Sequence, residues 1–213
     1  MRLPNPVTLK LRYHPLTPER WRDLEVLFGP RGACGGCWCM AWRLKRSDWE
    51  RGKGSRNKRA FKRIVRSGEV PGILAYDGDQ PVGWCALAPR ERYPVLERSR
   101  VLARVDDQPV WSVTCFFVAR PFRRRGVAEG LLREAADYAA KQGAQILEGY
   151  PFEPRSDLPD PFIWTGTVEI FQRAGFREIA RRSTTRPIMR KALGTGFGDR
   201  RHNLETSQLR RLL

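Results

Sequence analysis

Phe117-Val118-Ala119-Arg120-Pro121-Phe122-Arg123-Arg124-Arg125-Gly126-Val127-Ala128 runs out of an apolar segment, through a tight basic turn, into a helical pattern. Upstream, residues 110–118 are apolar enough for a central strand covered on both faces. Downstream, residues 126–142 put Leu131, Leu132, Ala135, Ala136 and Ala139 on one stripe, and Gly143 ends the helix. A helix start presents unpaired backbone N–H groups and a partial positive charge, so it attracts anions. Gly126 and Ala128 lack bulk, and Arg123, Arg124 and Arg125 add three cations at the same end. The helix end contributes ~0.3–1 kcal/mol to holding one exposed charge and up to ~2 when partly buried. The segment is suited to a pyrophosphate or a group like it.

Working outward, residues 7–13 alternate and predict a strand. Thr17-Pro18-Glu19-Arg20 predicts a helix start, with Trp21, Leu24, Leu27 and Phe28 inward and Gly29-Pro30 as the stop. Residues 29–41 are a Gly- and Cys-rich loop. Residues 57–66 predict a short basic helix with Phe61, Ile64 and Val65 inward. Residues 72–76 and 80–87 predict a hairpin about Asp77-Gly78. Residues 90–100 form a charged connection with helical character. After the long helix come a strand at 145–150, a proline-rich loop at 151–161, a helix at 167–174 ended by Gly175, and strands at 176–182 and 186–192. The order is that of an α+β fold with helices on a mixed sheet. Residues 1–193 are expected to form one domain, and 194–213 a basic C-terminal tail, flexible or carrying a short helix.

The chain has 213 residues, 41% hydrophobic and 10% aromatic, enough for a core without disulfides or structural metals. No apolar run approaches the ~18 residues of a membrane span. The first residues lack the apolar stretch of a secretory signal, so a cytoplasmic location is expected. Lys plus Arg is 40 against 23 for Asp plus Glu, a net charge of +17. Such a field attracts nucleic acid, acidic lipid or phosphorylated cofactors.

The pattern Arg123-x-x-Gly126-x-Ala128 after an apolar strand resembles the coenzyme A pyrophosphate loop of the GNAT superfamily of acyl-CoA N-acyltransferases. The long helix has the family's length. Phe171-Gln172-Arg173-Ala174-Gly175-Phe176 is similar to the family's later helix, which ends in a Gly-Phe step into a strand. The match covers residues 110–192. It implies a mostly antiparallel twisted sheet flanked by helices and splayed at its central strands. It also implies acetyl-CoA as co-substrate and an amine acceptor, either a small molecule or a protein, with no metal. By resemblance, the pyrophosphate lies against Arg123, Arg124, Arg125, Gly126, Val127 and Ala128. The pantetheine pairs with the backbone of Phe117 and Val118, and the acyl carbonyl sits close to residues 115–117.

The family commonly places a tyrosine acid on the later helix. Phe171 occupies that position and has no hydroxyl, and Trp164-Thr165-Gly166 stands where the family often has an asparagine. Tyr150 is the replacement acid, with a structural tyrosine as the alternative. Glu148 is the nearest carboxylate for a base, with a salt-bridged glutamate as the alternative.

Cys34-Gly35-Gly36-Cys37-Trp38-Cys39 supplies three thiols where a structural zinc wants four ligands, and no second Cys-x2-Cys exists. The resemblance implies instead that this segment lines the acceptor pocket, with Trp38, Met40 and Trp42 as an apolar wall and Cys37 or Cys39 near the acyl group. A packed loop without chemistry is the alternative. Two other classes of function stay open. One is a basic nucleic-acid-binding protein, motivated by +17 and the Lys/Arg-rich stretch 43–66, although no helix-turn-helix, zinc-finger or RNP pattern is present. The other is a fold that binds acyl-CoA without catalysis. Monomer and homodimer are equally compatible with the sequence.

Overall fold

A computed structural model describes residues 9–153 and 164–194. Within these residues the strands and α-helices follow one another as β1 (Leu11–Pro15), α1 (Trp21–Phe28), α2 (Arg46–Arg51), α3 (Ser55–Arg66), β2 (Gly72–Asp77), β3 (Gln80–Pro89), α4 (Pro94–Glu97), β4 (Trp111–Val118), α5 (Val127–Lys141), β5 (Ile146–Gly149), α6 (Val168–Arg173), β6 (Arg177–Arg181) and β7 (Pro187–Ala192). The seven strands form one sheet in the order β1-β2-β3-β4-β5-β7-β6. Every neighbouring pair is antiparallel except β4–β5. The expected α+β class is the observed one.

β4 is the middle strand, and its burial explains its apolar sequence. On one face α5 lays Val127, Leu131, Leu132, Ala135, Ala136 and Ala139 against Ile73, Cys85, Leu87, Val113 and Leu147. On the other face Trp21, Leu24, Leu27 and Phe28 of α1 and Phe61 and Val65 of α3 cover Leu74, Tyr76, Trp84 and Ala86. Gly130 belongs to α5 because Tyr13 of β1 lies over it. A methyl group there would come within 1.9 Å of the Tyr13 hydroxyl.

Several boundaries differ from the expectation. β1 begins at Leu11, where pairing to Asp77 begins; residues 7 and 8 lie outside the described part. The hairpin turn is Gly78-Asp79 between the paired Asp77 and Gln80, and Gly78 takes the left-handed φ of 59°. α2 has no apolar period to announce it. It is fastened by Asn57, whose side-chain amide donates to the Trp49 carbonyl at 3.1 Å. The tail at 195–213 and most of the proline-rich loop lie outside the described residues.

The feature that positions the site is the limited pairing of β4 with β5. Only Trp111, Ser112 and Val113 pair, with Leu147, Glu148 and Gly149. Beyond Val113 the two strands part, and β4 continues alone on that edge to Val118. The β3–β4 register also shifts between Ala86 and Leu87, so Thr114 is an extra residue in β4. Such a bulge bends its strand and re-aims the residues after it.

Candidate active site

A cleft of about 510 Å³ opens where β4 leaves β5. Its floor is Phe116, Phe117 and Val118. One wall is the turn Phe122–Ala128, and the other is Trp164, Gly166, Thr167 and Ile170 at the start of α6. Cys34 reaches in from the loop after α1.

The turn has the geometry an anion site needs. Gly126 caps α5 with φ 79° and ψ −1°, and no side chain caps the helix. Arg124, at φ 58°, is also left-handed. A left-handed non-glycine residue costs roughly 1–2 kcal/mol, a strain that clusters at functional sites. A methyl group on Gly126 would meet nothing within 4 Å, so the space above the helix end is open. Glycine is required there by its φ, and the open space is what an oxyanion would use.

The free edge of β4 is already partly engaged. The Phe116 N–H donates to the Trp164 carbonyl at 2.6 Å, and Arg123 Nε donates to the Val118 carbonyl at 3.1 Å. On the opposite edge the Ala119 N–H donates to the Val82 carbonyl at 2.9 Å. Backbone groups alternate along a strand. Phe116 and Val118 therefore face the cleft, while the backbone of Phe117 faces β3. Of the two residues expected to pair, Val118 turns its backbone to the cleft with Phe116, while Phe117 lines the cleft without offering its backbone to it.

Glu148 and Tyr150 are placed differently from the expectation. Both are fully buried, and neither lines the cleft. Glu148 accepts from Arg90 at 2.8 Å on one oxygen and from Arg190 at 2.7 Å on the other. The Tyr150 hydroxyl lies 2.6 Å from Glu148, 2.6 Å from Arg90 and 2.8 Å from Ser112. Burial, and then the Glu148 charge, push the Tyr150 phenol well above its ordinary value. Arg90, itself 1% exposed, also bonds Glu97 and the Leu102 carbonyl. Their place on the strand next to β4 is legible in the sequence, but not that Arg90, 58 positions before Glu148, occupies them. At the family's tyrosine position, Phe171 is buried edge-on to Phe116, with ring centres 6.1 Å apart. It rests on Gly149, where a methyl group would approach it to 2.0 Å.

The cysteine segment divides. Trp38 is packed away from the cleft, stacked on Trp21 at 6.0 Å. Cys37 is half-buried, and desolvation raises its thiol to about 11. Cys39 lies under Trp84, whose indole N–H points at its sulfur at 2.9 Å. Only Cys34 faces the cleft. It is exposed, and partial burial raises its thiol. Among the described residues no three His, Cys, Asp or Glu side chains converge on a metal-binding arrangement. Trp42 does reach the site's edge. Its indole donates to the Thr114 carbonyl at 3.0 Å, and its ring lies 5.7 Å from Trp164. Trp164, Thr167 and Ile170 were missed because nothing in their spacing sets them apart from an ordinary helix approach.

The family model described as the acetyltransferase (GNAT) family matches residues 38–152, more than half of the chain. The chain belongs to the GNAT acetyltransferase family. Solved structures agree at the level of the fold. A GNAT acetyltransferase from Listeria monocytogenes superposes with a TM-score of 0.54 at 10% identity, covering 89% of this chain and 100% of the other. A GNAT acetyltransferase from Streptococcus pneumoniae gives 0.51 at 12%, covering 87% and 100%. The NatC complex bound to Gag peptide and CoA gives 0.51 at 10%, covering 87% and 99%. No curated protein sequence matches this GNAT chain. No helix among its described residues is long and apolar enough to cross a membrane.

Proposed function

We propose that this GNAT protein transfers an acetyl group from acetyl-CoA to a primary amine by direct attack of the amine. The observation that carries the reading is the conjunction at one cleft of an α5 N-terminus without a side-chain cap, a left-handed Gly126 under open space, and an edge of β4 that no strand pairs beyond Val113. These residues fit the co-substrate: N–H groups of the first turn and the cations of 123–125 for its pyrophosphate, and a strand edge for its amide arm. The solved NatC complex, of the same fold, holds CoA. When bound, acetyl-CoA supplies the activated acyl group as a thioester.

The chain's own residues bind and orient. Arg123 sits on the Val118 carbonyl, so an amide arm arriving at that edge competes with it and frees the guanidinium for phosphate. Trp42 and Trp164 form the apolar wall against which the acceptor is held. Holding the amine in line is the largest contribution such a site offers. An alkyl ammonium with pKa ~10.4 costs ~4 kcal/mol to neutralise at pH 7.4, whereas a thiolate with pKa ~8.5 leaves unprotonated for only ~1.5 kcal/mol. The absence of a hydroxyl at Phe171 is therefore tolerable. Glu148 and Tyr150, which the sequence offers as base and acid, instead fix β4 to β5 just before the strands separate.

The test is thiol release from acetyl-CoA across a panel of primary amines, including a lysine-containing peptide. Amine-dependent release whose kcat/KM rises with pH toward the acceptor's own pKa supports direct attack. Acetyl-CoA binding without release for any amine would reduce the protein to an acyl-CoA binder.

A further inference from the structure

We propose that the outer face of α3 docks the phosphate backbone of duplex DNA. α3 turns Asn57, Phe61 and Val65 inward and carries no acidic residue along its twelve positions. Its opposite face presents Arg56, Arg59, Lys62, Arg63 and Arg66. These five side chains alone line a shallow groove of about 650 Å³. Lys62 rests over the Trp21 ring at 5.3 Å. The four arginines are exposed and make no ion pair with any described acid, although other exposed arginines are clamped, such as Arg46 by Glu50 and Arg133 by Glu129.

Like charges three and four residues apart on a helix destabilise it. A fold that keeps five of them in one stripe, rigidly seated by Phe61 and Val65, presents a polyanion site. A protein partner needs an apolar or aromatic centre to its interface, and the groove has none. Insertion into a membrane needs a free apolar helix face, and that of α3 is buried. Single strands are held by exposed aromatics on which bases stack, and none lines the groove. A rigid row of cations is best matched by an equally rigid row of phosphates, and that is a duplex. The stripe runs ten helical steps from Arg56 to Arg66, about 15 Å. The B-form major groove accepts a helix at this scale, whereas the A-form one is too narrow. None of the five lines the acetyl-CoA cleft, so this inference stands apart from the proposed activity.

The experiment is fluorescence anisotropy of the full chain with labelled random-sequence duplex DNA, duplex RNA and single-stranded DNA, each over a range of salt. The expected result is sequence-independent binding, tightest to duplex DNA. Each neutralised phosphate adds about −0.9 to the slope of log affinity against log salt, so five give about −4.5, several-hundred-fold between about 50 and 200 mM. Replacing Arg56, Arg59, Arg63 and Arg66 together by Gln should take the slope to about −1, and Arg59→Gln with Arg63→Gln alone should move it about half as far. Removing the same charge at Arg12, Arg46, Arg133 and Arg177 should leave it. The thermal midpoint of the α3 variants should hold or rise, because repulsion is relieved. No binding to duplex DNA, an equal loss in the control variant, or tighter binding of single strands or duplex RNA would each overturn the proposal.

Discussion

The two ends of β4 are built on opposite principles. At its start, Ser112 lies in a network with the buried Glu148, Tyr150 and Arg90 and the mostly buried Arg190, where every charge has a partner. At its finish, Phe116 and Val118 face a cleft, and the adjoining helix end has no side-chain cap. The closed end cannot slide without separating buried charges. It therefore fixes where the strands begin to part, and the open end inherits a strand edge for a ligand. Two carboxylate and phenol groups that resemble proton-transfer residues in the sequence serve as the hinge pin of the splay.

The comparison breaks most visibly at Glu148. Glu148→Gln removes the charge that the buried Arg90 and the mostly buried Arg190 share, leaving them only the more exposed Glu97 and Asp106. A loss of about 3 kcal/mol, the low end for breaking a buried pair, is expected, read as a lower denaturation midpoint in urea. If Glu148 were only a base, stability would hold while activity vanished. Next in size is Gly126→Val. The branched side chain is forced to a left-handed φ and projects over the helix end. A stability loss of about 1–2 kcal/mol is expected, with acetyl-CoA affinity falling by well over tenfold in calorimetry. Tyr150→Phe should cost roughly 1–3 kcal/mol through its abandoned partners. Its pH–rate profile should keep the wild-type shape, because burial holds the phenol protonated far above neutrality. The smallest effect concerns Cys34. Alkylation at mildly alkaline pH should reach this exposed thiol before Cys37, whose pKa is pushed to about 11. Saturating acetyl-CoA should slow labelling of Cys34, measured by peptide mass spectrometry.

What the sequence disclosed and what it hid follow the same division. The open end is local. A strand, a turn and a helix lie within residues 111–141, and their periods and the Gly126 turn can be read without knowing anything distant. The inward faces of α1 and α5 were legible for the same reason. The closed end depends on residues far apart in the chain. Arg90 meets Glu148 only after the sheet is assembled, and no spacing rule connects them. The cysteine loop was ambiguous because left-handed turns at Ala33, Trp38 and Cys39 rotate successive side chains unpredictably. Trp38 was thereby turned into the core, while Cys34 was left at the cleft. α2 escaped because it is held by Asn57 and not by an apolar stripe.

The open end of β4 and the uncapped α5 together form the proposed acetyl-CoA site. The most direct measurement is the thermal midpoint with and without excess acetyl-CoA at low and high salt, beside an adenine nucleotide lacking the pantetheine arm. Ligand at a hundred times its Kd adds about 2.7 kcal/mol, a rise on the order of 5–10 °C for a chain this long. The account predicts a rise that persists at high salt and exceeds that given by the nucleotide. No rise, or one matched by the nucleotide and abolished by salt, would contradict it and leave the cleft as a nonspecific cationic surface.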